Sequence, residues 1–123
     1  MAKILIVDDD VSATALMEKI LKMAGFETTA VNASTKAVQT AFTISPDLIL
    51  LDFMMPDING IDLCKTLKSF PDFKRVPIAM VSAMADNGSK RDAFNAGAIE
   101  FITKPLQIKE FTEKINQLLS GPN

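Results

Sequence analysis

The stretch KILIVDDDVSATALMEKILKMAG, residues 3–25, contains one complete strand–turn–helix unit. Residues 3–7 form a short apolar run, which is the pattern of a buried strand, and three aspartates follow it directly. After the aspartates, apolar residues recur at intervals of three and four, as on the buried face of a helix: Ala13, Leu16, Met17, Ile20, Leu21 and Ala24. Gly25 follows at the position where a left-handed residue commonly ends a helix. The stretch therefore predicts a β-strand joined to an α-helix by an acidic turn.

The same alternation of strand and helix continues along the rest of the chain. Further strands are expected at residues 27–31, 47–51, 77–81 and 98–103. A helix follows each of them, and the hydroxyl of Ser34 is expected to cap the second helix. Strict alternation implies a parallel sheet with helices on both faces. The first, third and fourth strands are the most apolar, so they are expected at the centre, which the strand order 2-1-3-4-5 satisfies. This is an α/β fold of the flavodoxin-like, doubly wound (βα)5 type.

Length and composition indicate one domain and exclude several kinds of chemistry. The 123 residues match the size of a single domain, which is assigned to residues 1–120, with 121–123 as a terminus or the start of a linker. A hydrophobic fraction of 48% supports a packed core. The sequence has no histidine and one cysteine, Cys64. This excludes Ser-His-Asp and Cys-His catalysis, histidine-ligated zinc and a thiolate metal cage.

Charge and hydropathy bear on partners and location. The net charge of −2 argues against direct nucleic acid binding, because phosphate backbones are bound through clustered Lys and Arg. No apolar run approaches the roughly 20 residues of a membrane span, so no membrane insertion is expected. A lone cysteine suits a reducing compartment, and no secretory signal precedes the first strand. We therefore expect a cytoplasmic protein.

Polar residues end four of the predicted strands, at one edge of the sheet. They are Asp8-Asp9-Asp10 after the first strand, Asp52 after the third, Ser82 after the fourth and Lys104 after the fifth. Parallel α/β sheets bind ligands beyond the carboxyl ends of their strands, near the point where the strand order reverses. In this chain that point lies between the first and third strands, so one functional site is expected there. Asp10 is also well placed to cap the first helix.

The charge of this site calls for a cation. Two carboxylates about 4 Å apart repel each other by roughly 4 kcal/mol at an effective dielectric constant of 20. Asp8, Asp9 and Asp52 would carry three negative charges, and Lys104 returns one positive charge. Such a pocket needs a divalent cation or a raised carboxyl pKa. Oxygen ligands without His or Cys favour Mg²⁺, with Mn²⁺ as a second choice.

Four fragments of the sequence resemble the receiver domains of bacterial two-component response regulators, including the chemotaxis regulator. In the family's order, they are Ile4-Leu5-Ile6-Val7-Asp8-Asp9-Asp10, Leu51-Asp52-Phe53-Met54-Met55-Pro56 with Gly60, Val81-Ser82-Ala83, and Lys104-Pro105-Leu106. Each fragment alone is weak evidence, whereas the four together are highly specific and cover essentially the whole chain. The resemblance implies a phosphorelay switch that receives a phosphoryl group from a sensor histidine kinase or a phosphotransfer protein. Such a domain catalyses only its own phosphorylation and dephosphorylation.

The resemblance also implies the chemistry of the acceptor site. Asp52 is implied to be the phosphoryl acceptor, and Lys104 the amine that pairs with its carboxylate and later with the phosphoryl group. The implied Mg²⁺ ligands are the carboxylates of Asp9 and Asp52 and the backbone carbonyl of Met54. Asp8 is implied to support the ion mainly through water. The peptide bond between Lys104 and the next residue, a proline, is implied to be cis.

The remaining roles concern switching and the lifetime of the phosphate. The resemblance implies that the hydroxyl of Ser82 turns toward the phosphoryl oxygen and that Phe101 rotates inward when Ser82 moves. It places the readout surface for an unknown output partner on the fourth helix, fifth strand and fifth helix, in a monomer or weak dimer. Met54 and Met84 stand two residues after Asp52 and Ser82, and we hypothesise that they shield the acyl phosphate from hydrolytic water. The alternative is that both methionines only fill space.

Three other functions compete with the phosphorelay switch, and the first of them shares its strand order. A flavin-binding protein needs a Gly- and hydroxyl-rich phosphate loop after the first strand, where this chain has three carboxylates. A phosphatase with an aspartyl-phosphate intermediate needs a further acid or base near Asp52, and the sequence offers no candidate. A receiver-like interaction module that works without phosphorylation remains the main alternative, although such modules commonly lack part of the acidic cluster.

Overall fold

A computed structural model of the chain describes residues 1–121, so the last two residues of the predicted terminus or linker lie outside it. Within these residues the strands are β1 (Lys3–Val7), β2 (Glu27–Val31), β3 (Leu48–Leu51), β4 (Ile78–Ser82) and β5 (Glu100–Thr103). The α-helices are α1 (Val11–Met23), α2 (Ala37–Ile44), α3 (Gly60–Ser69), α4 (Asn87–Asn95) and α5 (Ile108–Ser120). Short 3₁₀ turns at Ser34–Lys36 and Pro71–Phe73 precede α2 and β4. None of the helices in the described range has the length and apolar composition to span a membrane.

The strands pair in parallel in one sheet, in the order β2-β1-β3-β4-β5. The order reverses between β1 and β3, which confirms the flavodoxin-like, doubly wound arrangement predicted from the sequence. Strands β3 and β4 are buried along their whole length, whereas the edge strand β2 is fully buried only at Val31. The apolar content of the strands therefore predicts their places in the sheet.

Alternate residues of the central strands build a hydrophobic cluster on each face of the sheet. On one face, Leu5 and Ile49 pack in a cluster that includes residues of α2, α3 and α4. On the other face, Ile4 and Leu50 pack with residues of α1 and α5. Because helices cover both faces, the carboxyl edge of the sheet is where polar side chains from several strands can meet.

Asp10 and Gly25 lie at the two ends of α1 as predicted, but the predicted cap of α2 is wrong. Asp10 caps α1, since its Oδ1 accepts hydrogen bonds from the amides of Ser12 and Ala13 at 2.9 and 3.3 Å. Gly25 follows α1 with a left-handed φ of 95°, as predicted. Ser34 makes no capping bond, and α2 begins only after the 3₁₀ turn. The hydroxyl of Ser34 is instead engaged with the loop that follows β3.

The buried stripe of α1 is narrower than its periodicity predicts. Met17, Ile20 and Leu21 are buried, but Leu16 is 50% exposed and Ala24 is also exposed. Leu16 projects about 100° away from its neighbour Met17 around the helix, beyond the side that faces the sheet. Ala24 lies past the last residue of the helix. Periodicity therefore locates the buried side of α1 but overestimates its width.

Candidate functional site

Three carboxylates meet at the carboxyl ends of β1 and β3. The amide of Asp8 donates to the carbonyl of Val31 at 3.1 Å, and the amide of Asp52 donates to the carbonyl of Val7 at 2.9 Å, so the parallel ladder extends one residue past each strand. Asp8 is 1% exposed and Asp52 9%, whereas Asp9 is exposed. One carboxylate oxygen from each of the three aspartates lies within 4.8 Å of the other two. The structure thus brings the predicted acidic residues together.

Lys104 reaches this cluster from the end of β5 and binds Asp8 more closely than Asp52. Its amide donates to the carbonyl of Ser82 at 2.9 Å, which extends the pairing of β4 with β5. Its Nζ donates to Oδ2 of Asp8 at 2.7 Å and lies 3.8 Å from Oδ1 of Asp52. The resemblance implied a pair with the acceptor carboxylate, and this ion pair is present at 3.8 Å, although it is longer than the hydrogen bond to Asp8. The same Oδ1 of Asp52 also accepts the amide hydrogen of Phe53 at 2.9 Å.

The pocket carries more negative charge than its ammonium group neutralises. The pKa of Asp52 is raised from 3.8 to about 6, first by burial and then by the charge of Asp8. Lys104 and the hydrogen bond from Phe53 act in the opposite direction and offset only part of this rise. Burial alone would lower the pKa of Lys104, but its hydrogen bond to Asp8 and the charge of Asp52 raise it above the ordinary lysine value. An added cation would stabilise the ionised form of Asp52.

The donor atoms in the pocket suit a hard divalent cation. Asp9 and Asp52 offer carboxylate oxygens, and the sequence has no histidine to compete. Asp8 uses both oxygens within the protein, since Oδ1 accepts from the amide of Asp10 at 2.9 Å and Oδ2 from Lys104. This favours an indirect, water-mediated role for Asp8. The residues therefore fit Mg²⁺, and Mn²⁺ shares the preference for oxygen ligands.

The loop between β3 and α3 closes tightly against the end of β3. The amide of Gly60 donates to the carbonyl of Phe53 at 2.9 Å. A Cβ atom at Gly60 would lie 2.1 Å from the backbone oxygen of Asp52, so only glycine fits there. Asp57, within the loop, adopts a left-handed φ of 68°. Met54, whose carbonyl the resemblance implied as a ligand, lies in the same loop and is 59% exposed.

Ser82 and Phe101, which the resemblance implied to act as a switch, lie at the last position of β4 and within β5. Ser82 is buried, and its Oγ accepts the amide hydrogen of Met84 at 3.2 Å. Phe101 is 5% exposed and belongs to the cluster that α3 and α4 cover, so its ring already lies inside the protein. Its implied rotation with Ser82 remains a prediction. The Lys104–Pro105 peptide bond is cis, as the resemblance implied.

Two residues of the loop between β2 and α2 contact the site and were not predicted from the sequence. Asn32 donates to the carbonyl of Asp8, and Ser34 donates to the carbonyl of Pro56. These contacts join residues 24 and 22 positions apart in the sequence, so no local pattern marks them. The available signal was only that two polar side chains follow a predicted strand.

Residues 4–116 match the family described as "Response regulator receiver domain". The chain is 35% identical over 117 residues to the DNA-binding response regulator MtrA of Mycobacterium tuberculosis, a match that covers 95% of this chain and 50% of MtrA. It is 32% identical to the DNA-binding dual master transcriptional regulator RpaA of Synechocystis, over 97% of this chain and 49% of RpaA. The chain therefore spans about half the length of these curated relatives.

Two solved structures superpose on almost the whole chain. A putative response regulator from Chloroflexus aurantiacus superposes with a TM-score of 0.93 at 32% identity, and the match covers 98% of both chains. The receiver domain of the sensor histidine kinase PA1611 from Pseudomonas aeruginosa superposes with a TM-score of 0.90 at 25% identity, again over 98% of both chains. That structure is described as having a magnesium ion coordinated in its active site cleft.

Proposed function

The chain belongs to the family of response regulator receiver domains, and we propose that it is a phosphorelay switch that accepts a phosphoryl group on Asp52. The proposed donor is the phosphohistidine of a sensor histidine kinase or a phosphotransfer protein in the cytoplasm. The proposed reaction depends on Mg²⁺, and its product changes the surface that an output partner binds. Receiver domains are not classical enzymes, so the only reactions proposed are the domain's own phosphorylation and dephosphorylation.

The observation that carries this proposal is the environment of the Asp52 carboxylate. Its Oδ1 accepts the amide hydrogen of Phe53 and faces the ammonium group of Lys104 at 3.8 Å. Its Oδ2 accepts no hydrogen bond from any residue between 1 and 121. Every buried polar side-chain atom in that range has a hydrogen-bond partner, so Oδ2, which has none, must be accessible to solvent. One oxygen is therefore held in place while the other is free to react.

In the proposed step, Oδ2 of ionised Asp52 attacks phosphorus. A P–O bond forms as the P–N bond to the donor imidazole breaks, and the leaving imidazole takes a proton from the solvent. Lys104 is placed to offset charge on the transferring group, because its Nζ lies within reach of Asp52. Mg²⁺ held by Asp9 and Asp52 would offset the negative charge of the phosphoryl oxygens. With a pKa of about 6, Asp52 is mostly ionised above pH 7 even without the ion.

The phosphoryl group would change the hydrogen bonds at the end of β4. The phosphorylated side chain carries about −1.5 to −2 units of charge, against −1 for the ionised carboxylate, and it has strong acceptor oxygens. The Oγ of Ser82 now accepts from the amide of Met84 and would have to turn to donate to a phosphoryl oxygen. We propose that this change is read on the surface of α4, β5 and α5. Phe94 and Ile108, which are 46% and 64% exposed, supply apolar contact area there.

The DNA-binding activity of the relatives is not carried over to this domain. MtrA and RpaA are described as DNA-binding, but the match covers only about half of each. We propose that the receiver domain does not itself bind nucleic acid, since the 123 residues carry a net charge of −2. We also propose a monomer or weak dimer.

Two exposed methionines support a long-lived phosphate. Met54 and Met84 are 59% and 41% exposed, and they lie two residues after Asp52 and Ser82. An apolar side chain cannot orient or activate a water for attack on an acyl phosphate, whereas a polar one can. We propose that the two methionines slow the hydrolysis of phosphorylated Asp52.

The test of the function is phosphorylation by a small donor. Purified protein is incubated with Mg²⁺ and acetyl phosphate or phosphoramidate, and intact mass is measured for the wild type, Asp52→Asn and Asp72→Asn. Asp72 is an exposed carboxylate in the turn before β4, so its variant is the control. Wild type and Asp72→Asn should gain one phosphoryl group each, and Asp52→Asn none. The proposal is falsified if Asp52→Asn gains the group. It also fails if wild type gains none and does not respond to beryllofluoride, which mimics a bound phosphoryl group. That second result would favour an interaction module that works without phosphorylation.

A further inference from the structure

The loop between β2 and α2, residues 32–36, touches both loops that carry the acidic pocket. In the sheet, β2 lies outside β1, and β1 separates it from β3. The loop nevertheless contacts the end of β1 through Asn32 and the loop after β3 through Ser34. It therefore passes over the carboxyl end of β1 before α2 begins. Two side chains only two positions apart thus connect the two acidic loops to one short segment.

Asn32 holds the turn between β1 and α1. Its Nδ2 donates to the carbonyl of Asp8 at 2.9 Å and to Oγ1 of Thr14 at 3.0 Å. Oγ1 of Thr14 in turn donates to the carbonyl of Val11 at 3.0 Å. The backbone of Asp8 and the first turn of α1 are therefore connected through a single amide group.

Ser34 holds the loop between β3 and α3 on both sides of Asp57. The residue is 3% exposed, and its Oγ donates to the carbonyl of Pro56 at 2.9 Å and accepts from the amide of Ile58 at 3.1 Å. Asp57, between those two, has the left-handed φ of 68° that residues with a Cβ adopt reluctantly. One buried hydroxyl therefore pairs both backbone groups that flank a strained residue.

We propose that Asn32 and Ser34 are positioning residues for the acceptor pocket. They hold the loop after β1 and the loop after β3 at the separation that keeps Asp8, Asp9 and Asp52 together. The three carboxylates lie within 4.8 Å of one another and repel, so the loops need a restraint from outside the pocket. The inference rests on the proposed function only for the identity of the bound ion.

A simpler role for both side chains would be to satisfy backbone groups, and metal affinity distinguishes the two roles. A structural contact alone lowers thermal stability but leaves the Mg²⁺ affinity of the folded protein unchanged. A positioning contact lowers the affinity at temperatures where the protein stays fully folded. The measurement is an NMR titration of backbone amides with MgCl₂, well below the unfolding temperature of each variant.

The first variant is Ser34→Ala, with Ser69→Ala as its matched control. Ser69 is exposed at the last position of α3, and its hydroxyl donates to the carbonyl of Thr66. We expect Mg²⁺ to bind about fivefold more weakly to Ser34→Ala, the factor that corresponds to one hydrogen bond of about 1 kcal/mol. Ser69→Ala should bind Mg²⁺ with wild-type affinity.

A second substitution tests the strained turn directly. Glycine adopts a left-handed φ without steric strain, so Asp57→Gly lets the turn form without help from the hydroxyl. The double variant Ser34→Ala/Asp57→Gly should recover affinity to within about twofold of Asp57→Gly alone. Asn32→Ala should weaken Mg²⁺ binding by a similar factor to Ser34→Ala, and it is the variant to use if Ser34→Ala is not fully folded.

Folded Ser34→Ala and Asn32→Ala with unchanged Mg²⁺ affinity would overturn the inference, as would an equal loss in Ser69→Ala. Wild type that binds no Mg²⁺ would instead refute the metal-dependent function. In that case the restraint is read from hydrogen exchange at the amides of Asp10 and Phe53, which donate to the carboxylates of Asp8 and Asp52 and do not bond to Ser34; both should exchange faster in Ser34→Ala than in wild type. An unchanged exchange rate there would refute the positioning role by itself.

Discussion

Replacement of Asp52 by Asn should stabilise the metal-free protein at neutral pH, although it removes the proposed acceptor. The side chain of Asp52 is 11% exposed and lies close to Asp8 and Asp9, and its pKa is raised from 3.8 to about 6. The folded state therefore holds Asp52 in a place where its charge is unfavourable. Asn has nearly the same shape, and its carbonyl oxygen can still accept the amide hydrogen of Phe53. Lys104 keeps its shorter hydrogen bond to Asp8.

The size of the effect follows from the pKa. A rise from 3.8 to about 6 is roughly two pH units, and each unit corresponds to 1.36 kcal/mol, so the upper limit is about 3 kcal/mol. Residual solvent exposure reduces this, and we expect about 1–3 kcal/mol. Because the folded state binds the proton more tightly than the unfolded state, wild-type stability falls as the pH rises from about 4 through 6. The advantage of Asp52→Asn should therefore be near zero at pH 4 and complete above pH 7.

The assay is urea unfolding of wild type and Asp52→Asn in EDTA at pH 4 and pH 7.5, with Asp72→Asn as control. The free energy of unfolding should be higher for Asp52→Asn only at pH 7.5, and Asp72→Asn should match wild type at both pH values. Mg²⁺ at 1,000 times its Kd should reverse the order, because it stabilises the folded wild type by about 4.1 kcal/mol and Asp52→Asn lacks one of the proposed carboxylate ligands. An Asp52→Asn protein that is no more stable than wild type at pH 7.5 in EDTA would refute the electrostatic argument.

Two further predictions concern residues around the acceptor. Met54→Asn combined with Met84→Glu should speed the loss of the phosphoryl group severalfold, because polar side chains can orient the attacking water. The rate is measured from the intact mass over time after the donor is removed. An unchanged rate would contradict the shielding role. Gly60→Ala should lower the free energy of unfolding by more than about 2 kcal/mol, since its Cβ would lie 2.1 Å from the backbone oxygen of Asp52. Gly88→Ala is the matched control in urea unfolding, because its Cβ would meet side-chain atoms and no backbone, Oδ2 of Asp86 at 3.2 Å and Nη2 of Arg91 at 3.9 Å. Equal losses in the two variants would argue against the clash.

Much of the fold could be predicted from the sequence because its signals are local and periodic. The apolar run at residues 3–7 and the spaced apolar residues of α1 each indicate an element within a window of a few turns. The rule that parallel strands need crossover helices then restricts the topology, and the apolar content of the strands gives their order. Element ends were less accurate, as at Ser34, where the hydroxyl bonds to a distant loop and does not cap α2.

The members of the acidic site could also be predicted, but the closer contact of Lys104 with Asp8 than with Asp52 could not. Parallel strands end at a common edge, so Asp8, Asp52 and Lys104 were expected to meet there. The choice of Lys104 between two carboxylates depends on differences of about 1 Å between groups up to 96 positions apart in the sequence. Periodicity carries no information at that scale, and neither does charge counting.

The sequence by itself determined which elements form, how the strands are ordered and which polar residues gather at one edge, beginning with the acidic turn that follows residues 3–7. Only the tertiary structure decided that Lys104 binds Asp8, that the ring of Phe101 lies inside, and that Asn32 and Ser34 contact the acidic loops. The physical reason is the separation in the sequence of the residues that interact. Secondary structure and burial follow from neighbouring residues and their spacing, whereas a hydrogen bond goes to whichever partner the packed chain brings within about 3 Å.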